Sequence, residues 1–141
     1  PTLHSGQPYV RLRRFMRILR HVSILGLGLL LCGCSTTITN LTPTQQSRNS
    51  SGYYPFEALF HSDQKTIRKD TIQPVVVVGL ETYPMQQAPV LKDRWETVVP
   101  IPPEKKIINY RFKFDYQYSA IPQRRPGSVL SAPYQLEISD K

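Results

Sequence analysis

From Tyr53 onward the chain alternates apolar and polar residues with a period of two, the pattern of strands that bury one face and wet the other. Tyr54, Phe56, Ala58 and Phe60 fall on one side of such a strand, with Pro55, Glu57, Leu59 and His61 on the other. Val75-Val76-Val77-Val78 is β-branched throughout and bounded by Pro74 and Gly79, which predicts a central buried strand. Trp95, Thr97, Val99 and Ile101 alternate with Glu96, Val98 and Pro100, and Pro100 and Pro102-Pro103 end that element or put it at an edge. The longest alternation sets Ile108, Tyr110, Phe112, Phe114, Tyr116 and Tyr118 against Asn109, Arg111, Lys113, Asp115 and Gln117. Tyr134, Leu136 and Ile138 close the series, and no segment carries a helical period.

Short strands joined by turns rich in Pro, Gly, Asp and Lys predict an all-β fold over residues 53–141: a two-sheet antiparallel immunoglobulin-like β-sandwich. Its core is expected to rest on Phe56, Phe60, the valine run, Trp95, Phe112 and Phe114. Burial of each large side chain is worth about 1.5–3 kcal/mol, adequate for a domain of this size.

The first 33 residues follow a different logic. Arg11 to His21 is basic, Val22 to Leu31 is apolar or small apart from Ser23, and a polar run starts after Cys34. The apolar stretch is shorter than the ~20 residues that a membrane-spanning helix needs. Leu31-Cys32-Gly33-Cys34 resembles the lipobox of bacterial lipoprotein signal peptides. That resemblance implies recognition of Leu31, Cys32 and Gly33 by signal peptidase II and cleavage before Cys34. Cys34 would receive a diacylglycerol and an N-acyl chain, with no other cofactor and no metal. Met16-Arg17-Ile18-Leu19-Arg20 would open a signal of ordinary length, with residues 1–15 an upstream extension. Ser35, in place of an Asp after the lipidated Cys, implies transfer to the outer membrane of a bacterial cell envelope.

Three regions are therefore expected: 1–33 as extension and signal peptide, 34–52 as lipidated Cys and flexible tether, and 53–141 as the sandwich. The tether reading comes from a run of Ser, Thr, Asn and Gln with Pro43, a composition unable to fold alone. Thr36-Thr37-Ile38-Thr39 could pair as a first edge strand. Asn40-Leu41-Thr42 and Asn49-Ser50-Ser51 match the glycosylation sequon, read as chance matches behind a bacterial signal.

Net charge changes meaning once the signal is set aside. The 141 residues carry a formal +8, from 18 cations against 10 acids, but five arginines precede Gly33 and no acid does. The remaining 13 cations are scattered among all 10 acids, which is a solvated surface and not a phosphate-binding stripe, so no nucleic-acid partner is expected. Lys105-Lys106 and Arg124-Arg125 read as turn charges, with anionic lipid or glycan as their alternative contact.

Catalysis is not expected either. His61 is the single histidine after the signal, without a Ser or Cys nucleophile motif around it. Asp63, Asp70, Asp93 and Asp115 stand in unlike contexts, and no phosphate-cradling glycine loop appears.

The order Val75-Val76-Val77-Val78-Gly79, Met85, Trp95-Glu96-Thr97-Val98-Val99-Pro100 and Tyr110-Arg111-Phe112-Lys113-Phe114-Asp115 resembles early-set immunoglobulin-like modules of glycogen-branching and starch-acting enzymes. In that family V-x-L-x-G, W-x-x-x-V/I-P and Y-x-F-x-F/V-D strands recur in this order. The resemblance implies an immunoglobulin-like fold and a glycan-binding alternative, in which Tyr83, Tyr116 and Tyr118 stack on sugar rings of an envelope polysaccharide. The principal expectation is a membrane-anchored lipoprotein exposing a non-catalytic immunoglobulin-like domain, with a structural or protein-interaction role in the envelope.

Overall fold

The computed structural model describes Ser35–Asp140. These residues form ten strands: β1 (Thr36–Asn40), β2 (Gln45–Ser47), β3 (Tyr53–Ser62), β4 (Ile67–Val78), β5 (Glu81–Pro84), β6 (Gln86–Gln87), β7 (Arg94–Pro100), β8 (Ile107–Tyr118), β9 (Arg125–Leu130) and β10 (Tyr134–Ser139). There is no helix among the described residues. One sheet runs β1-β3-β7-β6, and the other runs β2-β10-β8-β4-β5 with β9 also paired to β8. Every pairing is antiparallel except β2 with β10. The expected immunoglobulin-like sandwich is the observed fold, with β5 extending the second sheet as the additional strand of variable-type domains does.

The period-two pattern translates directly into burial. Tyr54, Phe56, Ala58 and Phe60 of β3 point inward, as do Tyr110, Phe112, Phe114 and Tyr116 of β8, Trp95 and Val99 of β7, and Leu136 and Ile138 of β10. Aromatic rings join the two sheets. Phe60 stacks on Phe114 with centroids 4.6 Å apart, Phe56 meets Tyr110 edge-on at 4.8 Å, and Trp95 meets Phe114 edge-on at 6.3 Å. Such contacts are worth about 0.5–1.5 kcal/mol each beyond the area they bury.

Two expectations need correction. The valine run lies in the middle of the second sheet, but Val76 alone of the four is fully buried while Val75 and Val77 are half-exposed. An antiparallel sheet with water on its outer face buries alternate residues only. The strand also begins seven residues before Pro74, at Ile67.

The second correction concerns the expected tether 34–52, of which the described residues 35–52 are part of the fold and not a flexible tether. Thr36–Asn40 pairs with Ala58–Ser62, as an edge strand, and Gln45–Ser47 pairs with Glu137–Ser139 on the other sheet. Between them the chain crosses from sheet to sheet, held by polar side chains. Asn40 Nδ2 donates to the Tyr110 hydroxyl at 3.0 Å, and Asn40 Oδ1 accepts from Thr42 N at 3.0 Å. Thr42 Oγ1, in a buried residue, accepts from Glu57 N at 2.9 Å. Asn49 Oδ1 accepts from Gly52 N and Ser51 Oγ at 2.8 Å each, and Tyr54 OH accepts from Asn49 N at 3.2 Å. Both sequon-like triplets are thus spent on turns. The composition lacks a hydrophobic face of its own, but it supplies donors and acceptors that complete a sandwich made elsewhere.

Two irregularities shape β8's borders. Arg68 pairs with Gln117 and Gln73 with Asp115, so Lys69–Ile72 bulge opposite Tyr116. Thr71 Oγ1 bridges the gap, donating to Arg68 O at 2.7 Å and accepting from Gln117 N at 3.0 Å. On the other border β9 and β10 follow each other along β8, and Ser131-Ala132-Pro133 faces Arg111 and Phe112. Buried Ser131 accepts from Phe112 N through Oγ at 2.9 Å and donates its own N–H to Phe112 O at 2.8 Å.

Phe114 is fully buried and touches both Phe60 and Trp95 across the sheet gap. Phe114→Ala in the Ser35–Lys141 fragment is expected to cost about 3–5 kcal/mol of stability. A urea melt checks this: the midpoint falls while the slope stays the same.

Candidate functional site

Of the residues singled out in the sequence, Leu31, Cys32, Gly33 and Cys34 lie outside the described residues. The chain enters the fold immediately after them. Ser35 Oγ donates to Asp63 Oδ2 at 3.0 Å, and Asp63 N donates to Ser35 O at 3.1 Å, before β1 starts at Thr36.

Tyr83, Tyr116 and Tyr118 all face the inner side of the second sheet. Tyr116 belongs to the core at 5% exposure, and Tyr83 and Tyr118 pack against it half-buried. Tyr116 and Tyr118 meet edge-on at 5.3 Å with hydroxyls 3.2 Å apart, over Gly127 of β9. A Cβ on Gly127 would lie 2.6 Å from a ring carbon of each, so this close approach needs glycine. Tyr83 stands on β5 opposite Val76, and its hydroxyl donates to Glu81. The three therefore do not converge: two share one end of β8, and Tyr83 is two strands away.

His61 is exposed, with Nε2 3.2 Å from Asp63 Oδ1, and the other oxygen of that carboxylate accepts from Ser35 Oγ, so the carboxylate stands between the imidazole and the hydroxyl. Among the described residues no group of three or more His, Cys, Asp or Glu could hold a metal, and no helix is long and apolar enough to cross a membrane. A surface recess of about 600 Å³ lies at the β4 bulge between Asp70, Gln73, Asp115 and Ser128. Its carboxylates are held ionised. Hydrogen bonds from Lys113 and Ser128 hold Asp115 below the ordinary carboxylate range, and the Arg68 guanidinium does the same for Asp70. Neither is poised for proton transfer near neutrality.

A further surface feature is apolar. Tyr53 pairs with Pro100 and Pro55 with Val98, and all four turn outward from the first sheet. Tyr53 is 54% exposed and Val98 57%, beside a recess of about 320 Å³ that runs to Glu57, Gln86 and Glu96. The adjacent tyrosines thus divide: Tyr54 is buried and its hydroxyl accepts from Asn49 N in the β2–β3 turn, and Tyr53 faces solvent. The alternation around Val98 is the signal that could have located the patch, since a Val on the wet side of a strand is out of pattern.

No family model matches the chain, and no curated protein matches it. Among solved structures it is similar to murine CRIg, with a TM-score of 0.38 and 9% identity over 74% of this chain and 98% of that one.

The Tyr116 hydroxyl is pushed up to about 12, first by burial and then by the Tyr118 hydroxyl, and burial also raises Tyr110. An unfolded tyrosine titrates near 10, so the neutral core tyrosines contribute stability that is full below pH 10 and is lost as pH rises toward 12. Denaturation midpoints followed across pH 9–12 should therefore fall, and Tyr116→Phe should flatten that fall.

Proposed function

We propose that this chain is a lipid-anchored protein of a bacterial cell envelope, displaying a non-catalytic immunoglobulin-like domain that contacts other envelope proteins. The observation that carries the anchor is Leu31-Cys32-Gly33-Cys34 behind a basic and then apolar segment, directly before a folded body. Several acyl chains on one residue, at about 0.8 kcal/mol per buried CH₂, make release from a bilayer very slow. Ser35 directs the lipidated chain to the outer membrane on this reading.

The interaction role is supported by the Tyr53, Pro55, Val98 and Pro100 patch, apolar at its centre and bordered by Glu57, Gln86 and Glu96. An exposed aromatic beside prolines buries area without ordering long flexible side chains, which favours protein contact.

Mass spectrometry of the chain from its native membrane is expected to find Cys34 as the N-terminus, carrying diacylglycerol and an N-acyl group. Cys34→Ser should abolish both processing and membrane retention; an unmodified Cys34, or a chain that keeps residues 16–33, overturns the anchor. For the contact face, photo-crosslinkers at Tyr53 and Val98 should capture a discrete envelope protein, while one at Lys113 on the other sheet should not. Val98→Glu should reduce capture at Tyr53 at least tenfold, the loss that about 1.4 kcal/mol produces, without moving the urea midpoint.

A further inference from the structure

Four segments meet at the end of the sandwich where the described chain begins. Ser35 is bonded through both its hydroxyl and its carbonyl to Asp63 of the β3–β4 loop. Ser119 N donates to Thr66 O at 2.7 Å, which brings the β8–β9 loop alongside. Phe60 N donates to Asp93 O at 2.9 Å, which adds the β6–β7 loop. The tips of these loops are bare and apolar: Ile121 is 97% exposed, Val90 89% and Leu91 51%. Lys65, Lys92 and Arg124 lie on the same three loops, each exposed and without an ion pair among the described residues, with Asp70 of β4 close enough to Arg124 to feel its charge. The carboxylates on these loops are Asp63, engaged by Ser35 and His61, and Asp93.

We propose that this end of the domain is a bilayer-docking surface. Val90, Leu91 and Ile121 enter the boundary between headgroups and acyl chains, and Lys65, Lys92 and Arg124 meet anionic headgroup phosphates. The proposal rests on the reading of Cys34 as the lipidated residue, because where the chain enters the fold decides which end meets the membrane. One peptide step, about 3.8 Å between Cα atoms, separates Cys34 from Ser35, which is already fastened to the β3–β4 loop. The headgroup layer on each side of a bilayer is about 5–7 Å deep. Acyl chains on Cys34 therefore hold these loops at headgroup depth, with no slack to lift them into water. Leu80, fully exposed in the β4–β5 turn, marks the opposite end. It lies one length of β3 away, about 34 Å, and has no anchor beside it. Apolar exposure alone does not tell the two ends apart; the anchor does.

The test uses the full chain, matured and purified with its lipid, in vesicles of phosphatidylethanolamine and phosphatidylglycerol. Ile121→Cys, Val90→Cys and Leu80→Cys each place one environment-sensitive fluorophore on an exposed site, Cys34 being blocked by its lipid, and the mass of each preparation reports that lipid. Blue-shifted emission quenched by spin-labelled lipid is expected at 121 and 90, and neither effect at 80. Charge reversal of Lys65, Lys92 and Arg124 to Glu should weaken quenching at 121; quenching left unchanged overturns the headgroup contact. Lipid on Cys34 with labels at 121 and 90 as wet as at 80 overturns docking and leaves the anchor standing. Absence of lipid on Cys34 overturns both. A blue shift that spin-labelled lipid does not quench, and that fades as the protein is diluted among vesicles, assigns this end to a second copy and overturns the bilayer as its occupant.

Discussion

The ring contacts between β3 and β8 are what make two sheets into one body. Antibody domains pin the corresponding strands with a disulfide, but this chain has two cysteines in all, at positions 32 and 34, both before the first described residue, and the ten strands contain none. Phe56 against Tyr110 and Phe60 against Phe114 hold the sheets instead, with Trp95 of β7 closing on Phe114 from the side. Stacked and edge-on rings fill a gap of about 10 Å between sheets without needing an oxidant. A strand body without thiols also leaves Cys34 nothing in the fold to pair with, whatever the redox state of its surroundings.

Those same rings explain why so much of the fold is legible in the sequence. Where one face of a strand must meet the core, apolar residues recur at every second position, and β3, β7, β8 and β10 all announce themselves that way. The alternation that identifies Ile108 to Tyr118 as a core face also places Tyr116 inside, which conflicts with using that ring as a sugar platform. The elements hidden from the sequence are those the core does not select. β2, β5 and β6 are two to four residues long, and β9 reads as turn and linker because Pro126 and Gly127 interrupt it. Their stability comes from ladder hydrogen bonds to strands formed elsewhere, a non-local property that no local pattern records. Residues 35–52 are the extreme case: Asn40, Thr42 and Asn49 look like solvated linker until Tyr110, Glu57 and Tyr54 supply their partners.

That folded entry segment governs what an anchor at Cys34 would do. A flexible tether of 18 residues would let a domain range over about 23 Å, reaching partners at any orientation. With Ser35 bonded to Asp63 and β1 paired from Thr36 onward, that freedom is absent, and the domain's long axis is set by the strands themselves. The Tyr53 and Pro100 edge of the apolar patch stands at the far end of β3, about 34 Å from the end where Ser35 enters. Both ends belong to one strand: its C-terminal end adjoins Ser35, where an anchored chain would carry its lipid, and its N-terminal end presents Tyr53. If the chain is anchored there, a partner binding at Tyr53 would meet a surface at fixed height and facing, and less orientational freedom would be lost on association than with a domain on a loose leash.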